Sequence, residues 1–407
     1  MKIVAFLYHF NDVDHIVPVL WKLLAQGHTV TAVMLDPDYN IEKDPRLQYL
    51  RRYDNFELTF IHRALLPKAR WLFSCRMKGG IAWIVRNIRL AFFVSGISTR
   101  WAIHFLKQRS PGVCIFEWGG RASRGRQEFF RACEVLGIRK VCLPHGLNIY
   151  INPDMTAEMR EVLRQGKKIR ISNRHYDAYV YQSNFHRQQD IALGMDPNVS
   201  HALGSARYYP EWQKIQEGFY ETFQPQKDVA NKIKTVFMLP HWEFNVDKAA
   251  TFALIAALAE HEGIYLVVKD HPREAEGLPE ELCARLSARE NFESVTAVSS
   301  VSLIKWADVV VNFGSSIGIE ALLQNKSLIS PSYLHTNTTI FDTTKAAILT
   351  RSLQETMSIF NIMKKQLARF AVSQESKQAL CKEIIYGGRN EHDVLGFYSD
   401  LVTGKKG

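Results

Sequence analysis

The chain has 407 residues, of which 46% are hydrophobic and 23% charged, and its formal net charge is +10. That length is more than one ordinary core needs and suits two domains of about 150–200 residues, while the composition excludes a disordered or low-complexity chain. Six cysteines, with no CxxC pair and no paired histidine spacing, exclude a disulfide framework and a zinc centre as first readings and fit the reduced thiols of a cytosolic protein.

The N-terminus MKIVAFLYHF carries a short apolar run with no small-residue cleavage site after it, so it predicts a first β-strand rather than a signal peptide. A helix is expected over 13–27, closing at Gly27, and a second strand over 28–35. Between Glu57 and Glu117 there is no acidic residue, and ten Lys and Arg carry an excess equal to the whole net charge. Trp71, Phe73, Trp83, Phe92, Phe93 and Trp101 are interleaved with them. Such a basic-aromatic stretch, about 60–109, predicts a helical insert held against an anionic membrane surface. Its longest uncharged run, 90–99, is too short to span a bilayer. No nucleic-acid recognition motif accompanies the charge, so no nucleic acid is expected as a partner.

The alternation of strand and helix resumes with a buried strand ending at Glu117, a Gly-rich turn at Gly119 and Gly120, a helix over 126–137, and a strand running into LPHG, 143–146. A strand over 176–183 and a helix from 184 follow, capped by Ser183 or Asn184. Residues 206–232, polar and with two prolines, read as a linker. A second α/β series then begins: strands over 235–240, 264–270, 292–298, 308–314 and 326–332, with helices between them, and a mainly helical tail from 351. Short buried strands alternating with helices imply parallel sheets covered on both faces. The expected domains are 1–205, with the insert, and 233–350, followed by tail helices 351–407 that cross back to the first domain. Two Rossmann-like halves place an active site in a cleft at the carboxyl ends of their strands.

Four motifs lie at those ends. In VVKDHPRE, 267–274, a buried strand stops at Lys269, and His271, Pro272 and Arg273 follow; a histidine aimed by a proline turn and flanked by cations suits a phosphate. In NFGSSIGIEALL, 312–323, Gly314 permits a tight turn, Ser315 and Ser316 open a helix whose N-terminus would favour an anion, and Glu320, one turn on, would meet ribose hydroxyls. His145 of LPHG and Glu117 pair a histidine with a carboxylate at neighbouring strand ends, an arrangement suited to general-base work on an acceptor hydroxyl. The loop HFNDVDH, 9–15, offers Asn11, Asp12 and Asp14 on the acceptor side, where capping of the following helix is the competing use of either aspartate. His241 and Asn245 after the second domain's first strand, the polar loop 332–342, and Ser205 or Arg207 at the hinge complete the set.

Together PHG in the first half, and KxHP with GSSxxxE in the second, resemble the GT-B glycosyltransferases and their phosphotransferase relatives. The nearest in pattern are bacterial capsule Kdo transferases, polysialyltransferases and CDP-glycerol glycerophosphotransferases; the non-hydrolysing UDP-N-acetylglucosamine 2-epimerases share the fold. The resemblance covers most of residues 1–350. It implies a GT-B α/β fold, two Rossmann-like domains with parallel sheets facing across a cleft. It also implies that His271 and Pro272 contact donor phosphates, that Ser315 and Ser316 sit at the phosphate-binding helix tip, that Glu320 lies near the ribose, and that His145 acts as base or positions the acceptor. The E-x7-E pair of many retaining enzymes and a DxD metal motif are both absent from the sequence, so no cofactor and no metal are expected. His271, Lys269 and the helix dipole would then stabilise the departing phosphate. The expected enzyme moves a sugar from a nucleotide-activated donor onto a lipid-linked or growing surface glycan, on the inner face of the cytoplasmic membrane. The alternatives are a CDP-glycerol-type polyol-phosphate transferase and a sugar 2-epimerase.

Overall fold

The computed structural model describes residues 1–36, 39–61, 97–118, 126–166, 175–271 and 277–405, and every structural statement below concerns these. Pro272 and Arg273, the turn glycines Gly119 and Gly120, and most of the basic-aromatic stretch lie outside them.

Seven strands make the first sheet: β1 (Lys2–Leu7), β2 (Thr29–Met34), β3 (Phe56–Phe60), β4 (Val113–Glu117), β5 (Arg139–Leu143), β6 (Ala178–Tyr181) and β7 (Ser200–Ala202). They are all parallel, in the order β3-β2-β1-β4-β5-β6-β7, with Ile3 registered against both Val30 and Val113. The central strands are apolar at nearly every position and buried on both faces, as a sheet with helical crossovers on each side requires. Phe6 and Phe116 stack at 5.1 Å and meet Phe129 and Phe130 from the helix Arg126–Leu136 at 4.4 and 4.5 Å. Each such ring contributes about 1.5–3 kcal/mol by leaving water. The strand order turns back between β1 and β4, so the connections leaving those two strands diverge and open a crevice above their carboxyl ends.

The first compact unit comprises Met1–Leu147, Arg170–Gln216 and Glu383–Gly407. Its last piece contains the helix Val394–Thr403, whose buried Tyr398 donates its hydroxyl to the carbonyl of Gly204 at 2.7 Å. Gly204 has φ +92°, and a Cβ there would land on the carbonyl oxygen of Ile385. Two backbones thus cross at van der Waals range where only a glycine fits. Part of the expected linker belongs to this unit too: Pro210–Gln216 is a helix with Trp212 fully buried against Trp21 at 5.9 Å. Of the basic-aromatic stretch, the described end forms the helix Thr99–Arg109. Here Trp101, expected among membrane-facing rings, stacks on Phe105 at 5.2 Å and packs against the core instead. No helix among the described residues is long and apolar enough to cross a membrane.

The second unit, Asn148–Ile169 with Glu217–Lys382, carries six parallel strands: β8 (Ile233–Met238), β9 (Ile264–Lys269), β10 (Phe292–Val295), β11 (Val309–Val311), β12 (Ser327–Pro331) and β13 (Ile348–Thr350). Their order, β10-β9-β8-β11-β12-β13, repeats the same reversal, here between β8 and β11. Its core mixes aliphatic residues with Phe237, Phe292, Phe313 and Phe360, and includes Leu254, Ile255 and Leu258 of the helix Lys248–Glu260 with Leu266 and Val268 of β9.

Candidate functional site

In the first unit the carboxyl ends of β1, β4 and β5 bring together Asp12, Glu117 and His145, each offering a donor atom within 4.8 Å of the others. The chain does this locally in three different ways. After β1 the helix starts at Phe10, earlier than the expected 13, because Asp12 itself caps it. Its carboxylate accepts the backbone N–H of Tyr8 at 2.5 Å and of His9 at 3.3 Å. Asn11 and Asp12 are therefore first-turn helical residues and Asp14 follows in the next turn, so none of the three is a loop residue. Glu117 ends β4 and is nearly buried. His145 follows β5 after Pro144 and stays partly open to solvent.

The Nδ1 of His145 lies 2.5 Å from Oε2 of Glu117, while the guanidinium of Arg126 closes on Oε1 of the same carboxylate. A carboxylate held by a buried guanidinium stays ionised, so it fixes the imidazole with its proton on Nδ1 and leaves Nε2 as the acceptor. Trp118 and His9 flank the imidazole edge-on, each with ring centroids 6.0 Å away. Burial raises the pKa of Asp12 against the opposing pull of His9 and His145. The donor set of Asp12, Glu117 and His145 has the types a metal ion takes. Arg126 and the His145 N–H already balance the Glu117 charge, so the arrangement suits proton transfer better than cation binding.

Asp14 is placed differently from its neighbour. It is enclosed by Arg46 at 2.6 Å and Arg207 at 2.9 Å, and Arg46 also pairs with Asp44 at 2.6 Å. Burial alone would raise its pKa, but Arg207 and then Arg46 outweigh that and hold it below the usual carboxylate range. The same burial and the same cations push His15 down to about 3, so it is a neutral imidazole whose Nδ1 meets Gln182 at 3.0 Å. Ser205, expected at a hinge, is fully buried 3.5 Å from that Gln182 amide. Asp14, Ser205 and Arg207 thus belong to a closed polar network under the site. Asn11 is half-buried on the same turn as Asp12.

In the second unit the carboxyl ends of β8, β9 and β11 supply the corresponding groups. His241 and His271 meet edge to face at 5.2 Å. Lys269 is turned elsewhere than expected: it is buried, burial lowers its pKa, and its Nζ donates to the carbonyl of Thr296 at 2.7 Å. Asn245, with φ +55°, ties the carbonyl of Asp154 at 3.0 Å. Gly314 has φ +72°, as the tight turn demanded. The helix it leads into, Ile317–Leu323, has two turns only, so its end charge is small and the serines must supply most of any anion contact. The hydroxyl of Ser315 already accepts from the Ile317 N–H at 3.4 Å, and Ser316 makes no side-chain cap. Glu320 is fully buried and accepts from Gln324 at 3.2 Å. His335, from the polar loop 332–342, stacks flat on Phe313 at 5.7 Å, and burial lowers its pKa.

Three participants were not foreseen. Arg126 opens the helix expected over 126–137, with no role expected for it. Arg46 sits behind Pro45 in a stretch with no periodic signal. Tyr150, five residues past His145, joins the second unit and donates its hydroxyl to the carbonyl of Gly314 at 2.7 Å. Nothing in the sequence pointed to any of the three.

No family model matches this sequence, and no curated protein matches it. Solved structures do. The UDP-GlcNAc 2-epimerase of Neisseria meningitidis bound to UDP-GlcNAc matches with a TM-score of 0.57 at 11% identity, over 100% of this chain and 99% of that one. S. aureus MnaA in a co-structure with UDP gives 0.56 at 12%, over 99% and 94%. Anabaena Alr3699/HepE in complex with UDP and glucose gives 0.54 at 11%, over 99% and 98%. At such identities the likeness is one of fold: two Rossmann-like units with parallel sheets, the GT-B type.

Proposed function

We propose that the chain is an enzyme acting on a nucleotide-activated sugar, and that it transfers that sugar to a hydroxyl of a lipid-linked or growing surface glycan. The observation that carries this reading is the Arg126–Glu117–His145 relay at the strand ends of the first unit. It leaves one imidazole nitrogen as an oriented base, which is what deprotonation of an acceptor hydroxyl needs. The acceptor proton passes to Nε2, and the imidazolium that forms is stabilised by Glu117 through Nδ1. The nucleotide is assigned to the second unit, with His271 and His241 on the phosphates and Ser315 and Ser316 as hydroxyl donors at the Gly314 turn. Donation by His271 to the leaving phosphate offsets the charge that develops as the glycosidic bond breaks. Pro272 and Arg273 are proposed on the same phosphates, and the basic-aromatic stretch 60–109, apart from its core-packed helix Thr99–Arg109, as the part that keeps the enzyme on the inner leaflet.

A second reading has a specific support: the fold neighbours include 2-epimerases, one of them bound to UDP-GlcNAc. A base at His145 would suit proton abstraction from a sugar carbon as well. The two readings separate in one experiment. The protein is incubated with UDP-GlcNAc in heavy water, without acceptor. Deuterium at the sugar C2 marks an epimerase and overturns the transferase reading. Calorimetric binding of UDP, CDP, CMP or GDP that is lost in His271→Ala, with no exchange, supports the transferase and names its donor class. No binding of any of these to folded protein overturns the nucleotide assignment.

A further inference from the structure

Tyr150 stands within the second unit although the chain reaches it straight from the His145 turn. Its ring is buried and lies against Phe244 at 4.9 Å, nearly parallel. Phe244 meets His241 edge-on at 5.4 Å, and His241 meets His271. The backbone around the tyrosine is tied down on both sides. It bridges Thr339 in antiparallel fashion, and Ile151 N–H donates to Thr338 at 2.9 Å. Asn337 locks the strap further: its side-chain oxygen accepts from Asn152 and Asn245, and its nitrogen donates to the carbonyls of Met155 and Phe244.

So rigid a mount fixes the hydroxyl that donates to the Gly314 carbonyl. Gly314 is fitted to it twice over: its φ is +72°, and a Cβ there would lie 2.6 Å from the tyrosine oxygen. There is no cis peptide among the described residues, so the peptide between Gly314 and Ser315 is trans. In a trans peptide the carbonyl and the next N–H point opposite ways. A carbonyl held by Tyr150 therefore holds the Ser315 N–H pointing away from Tyr150, as a fixed donor. Burial raises the Tyr150 pKa well above that of an exposed tyrosine, so the hydroxyl remains a donor at any working pH.

We propose that Tyr150 is a positioning residue for the phosphate-binding turn Gly314–Ser316, setting the affinity of the second unit for the phosphate part of its nucleotide; this rests on the nucleotide assignment made above. Tyr150→Phe keeps the ring and its stacking and deletes only the hydroxyl. Calorimetry would compare UDP, CDP, CMP and GDP with their parent nucleosides on both proteins. For the nucleotide that the wild type binds, the variant weakens binding about three- to tenfold, the loss of one hydrogen bond. The parent nucleoside binds both proteins equally, and the melting temperatures stay close. A merely structural tyrosine would instead weaken nucleotide and nucleoside alike, or neither, and either result overturns the proposal. Gly314→Ala supplies an independent arm. Its new methyl collides with the tyrosine oxygen, but in the Tyr150→Phe background the nearest ring atom is 3.6 Å away. The double variant therefore loses less nucleotide affinity than the two single losses combined. Strict additivity shows that Tyr150 does not act through Gly314 and overturns the proposal. Failure of the wild type itself to bind any nucleotide removes the underlying assignment instead.

Discussion

Glu117 is shared between two hydrogen-bond donors: His145 Nδ1 sits 2.5 Å from one oxygen and the Arg126 guanidinium on the other. This makes the two obvious substitutions behave differently. His145→Ala removes the proposed base alone. Its turnover falls about 10²–10⁴-fold, with little change in melting temperature, since the imidazole is partly exposed. Glu117→Gln removes the orienting charge and also strands a buried guanidinium. It lowers turnover and costs about 3 kcal/mol of stability. Denaturant melts alongside rates of sugar-nucleotide turnover separate the two; equal stability of both variants would show that Arg126 does not depend on Glu117.

The Asp14 network makes a stability prediction with no catalytic component. Asp14→Asn leaves Arg46 and Arg207 with less than the charge that balances them in a buried site. A loss of about 3–5 kcal/mol is expected. It is read as a shifted urea midpoint at pH 7, and a shift under 1 kcal/mol would mean that the cluster is open to water.

His15 gives a pH signature. Its folded pKa is depressed to about 3, first by burial and then by Arg207, whereas the unfolded chain titrates near 6.5. The unfolded state therefore takes up a proton that the folded state refuses. The stability held above pH 6.5 is lost as pH falls from 6.5 towards 3, approaching about 1.4 kcal/mol per pH unit from this group. His15→Gln, which keeps a polar partner for Gln182, should flatten the stability profile between pH 6.5 and 5. An unchanged slope would assign it to other groups, of which His201 and His335 are also depressed by burial.

Gly204→Ala tests the close backbone crossing. A methyl there meets the Ile385 carbonyl and must also adopt φ +92°. About 3 kcal/mol of destabilisation is expected. The melting temperature falls accordingly, while the nucleotide binding proposed for the second unit persists wherever that unit remains folded. Loss of both together at the same denaturant concentration would show that the two units unfold as one.

Much of this was legible because it is local. A strand that stops at a histidine or a carboxylate announces a rim position, and Glu117, His145 and His271 all do so. The parallel sheets followed from apolar runs alternating with helical periodicity. The edge strands β3, β7 and β13 were missed. They are three to five residues long: β7 and β13 are too short to show a period, and the Phe-Glu-Leu-Thr-Phe alternation of β3 runs for only five residues. Lys269 and Asp14 carried plausible charges, but their partners, Thr296 and Arg46 with Arg207, come from other crossovers and no spacing rule predicts them. Tyr150 illustrates the same limit. Its use depends on a strap of the first half joining the second unit, a topological fact that neighbouring residues do not encode.

The return of residues 383–403 to the first sheet has a temporal meaning. A ribosome delivers the second unit's last residue, Lys382, while the piece that packs on Gly204 and Gln26 is still being made. The unit begun before the other is therefore finished after it, and its sheet waits with an uncovered flank until residues 383–403 are made. A premature stop near residue 383 would spare every strand of both sheets yet deny the unit carrying Glu117 and His145 its closing helix.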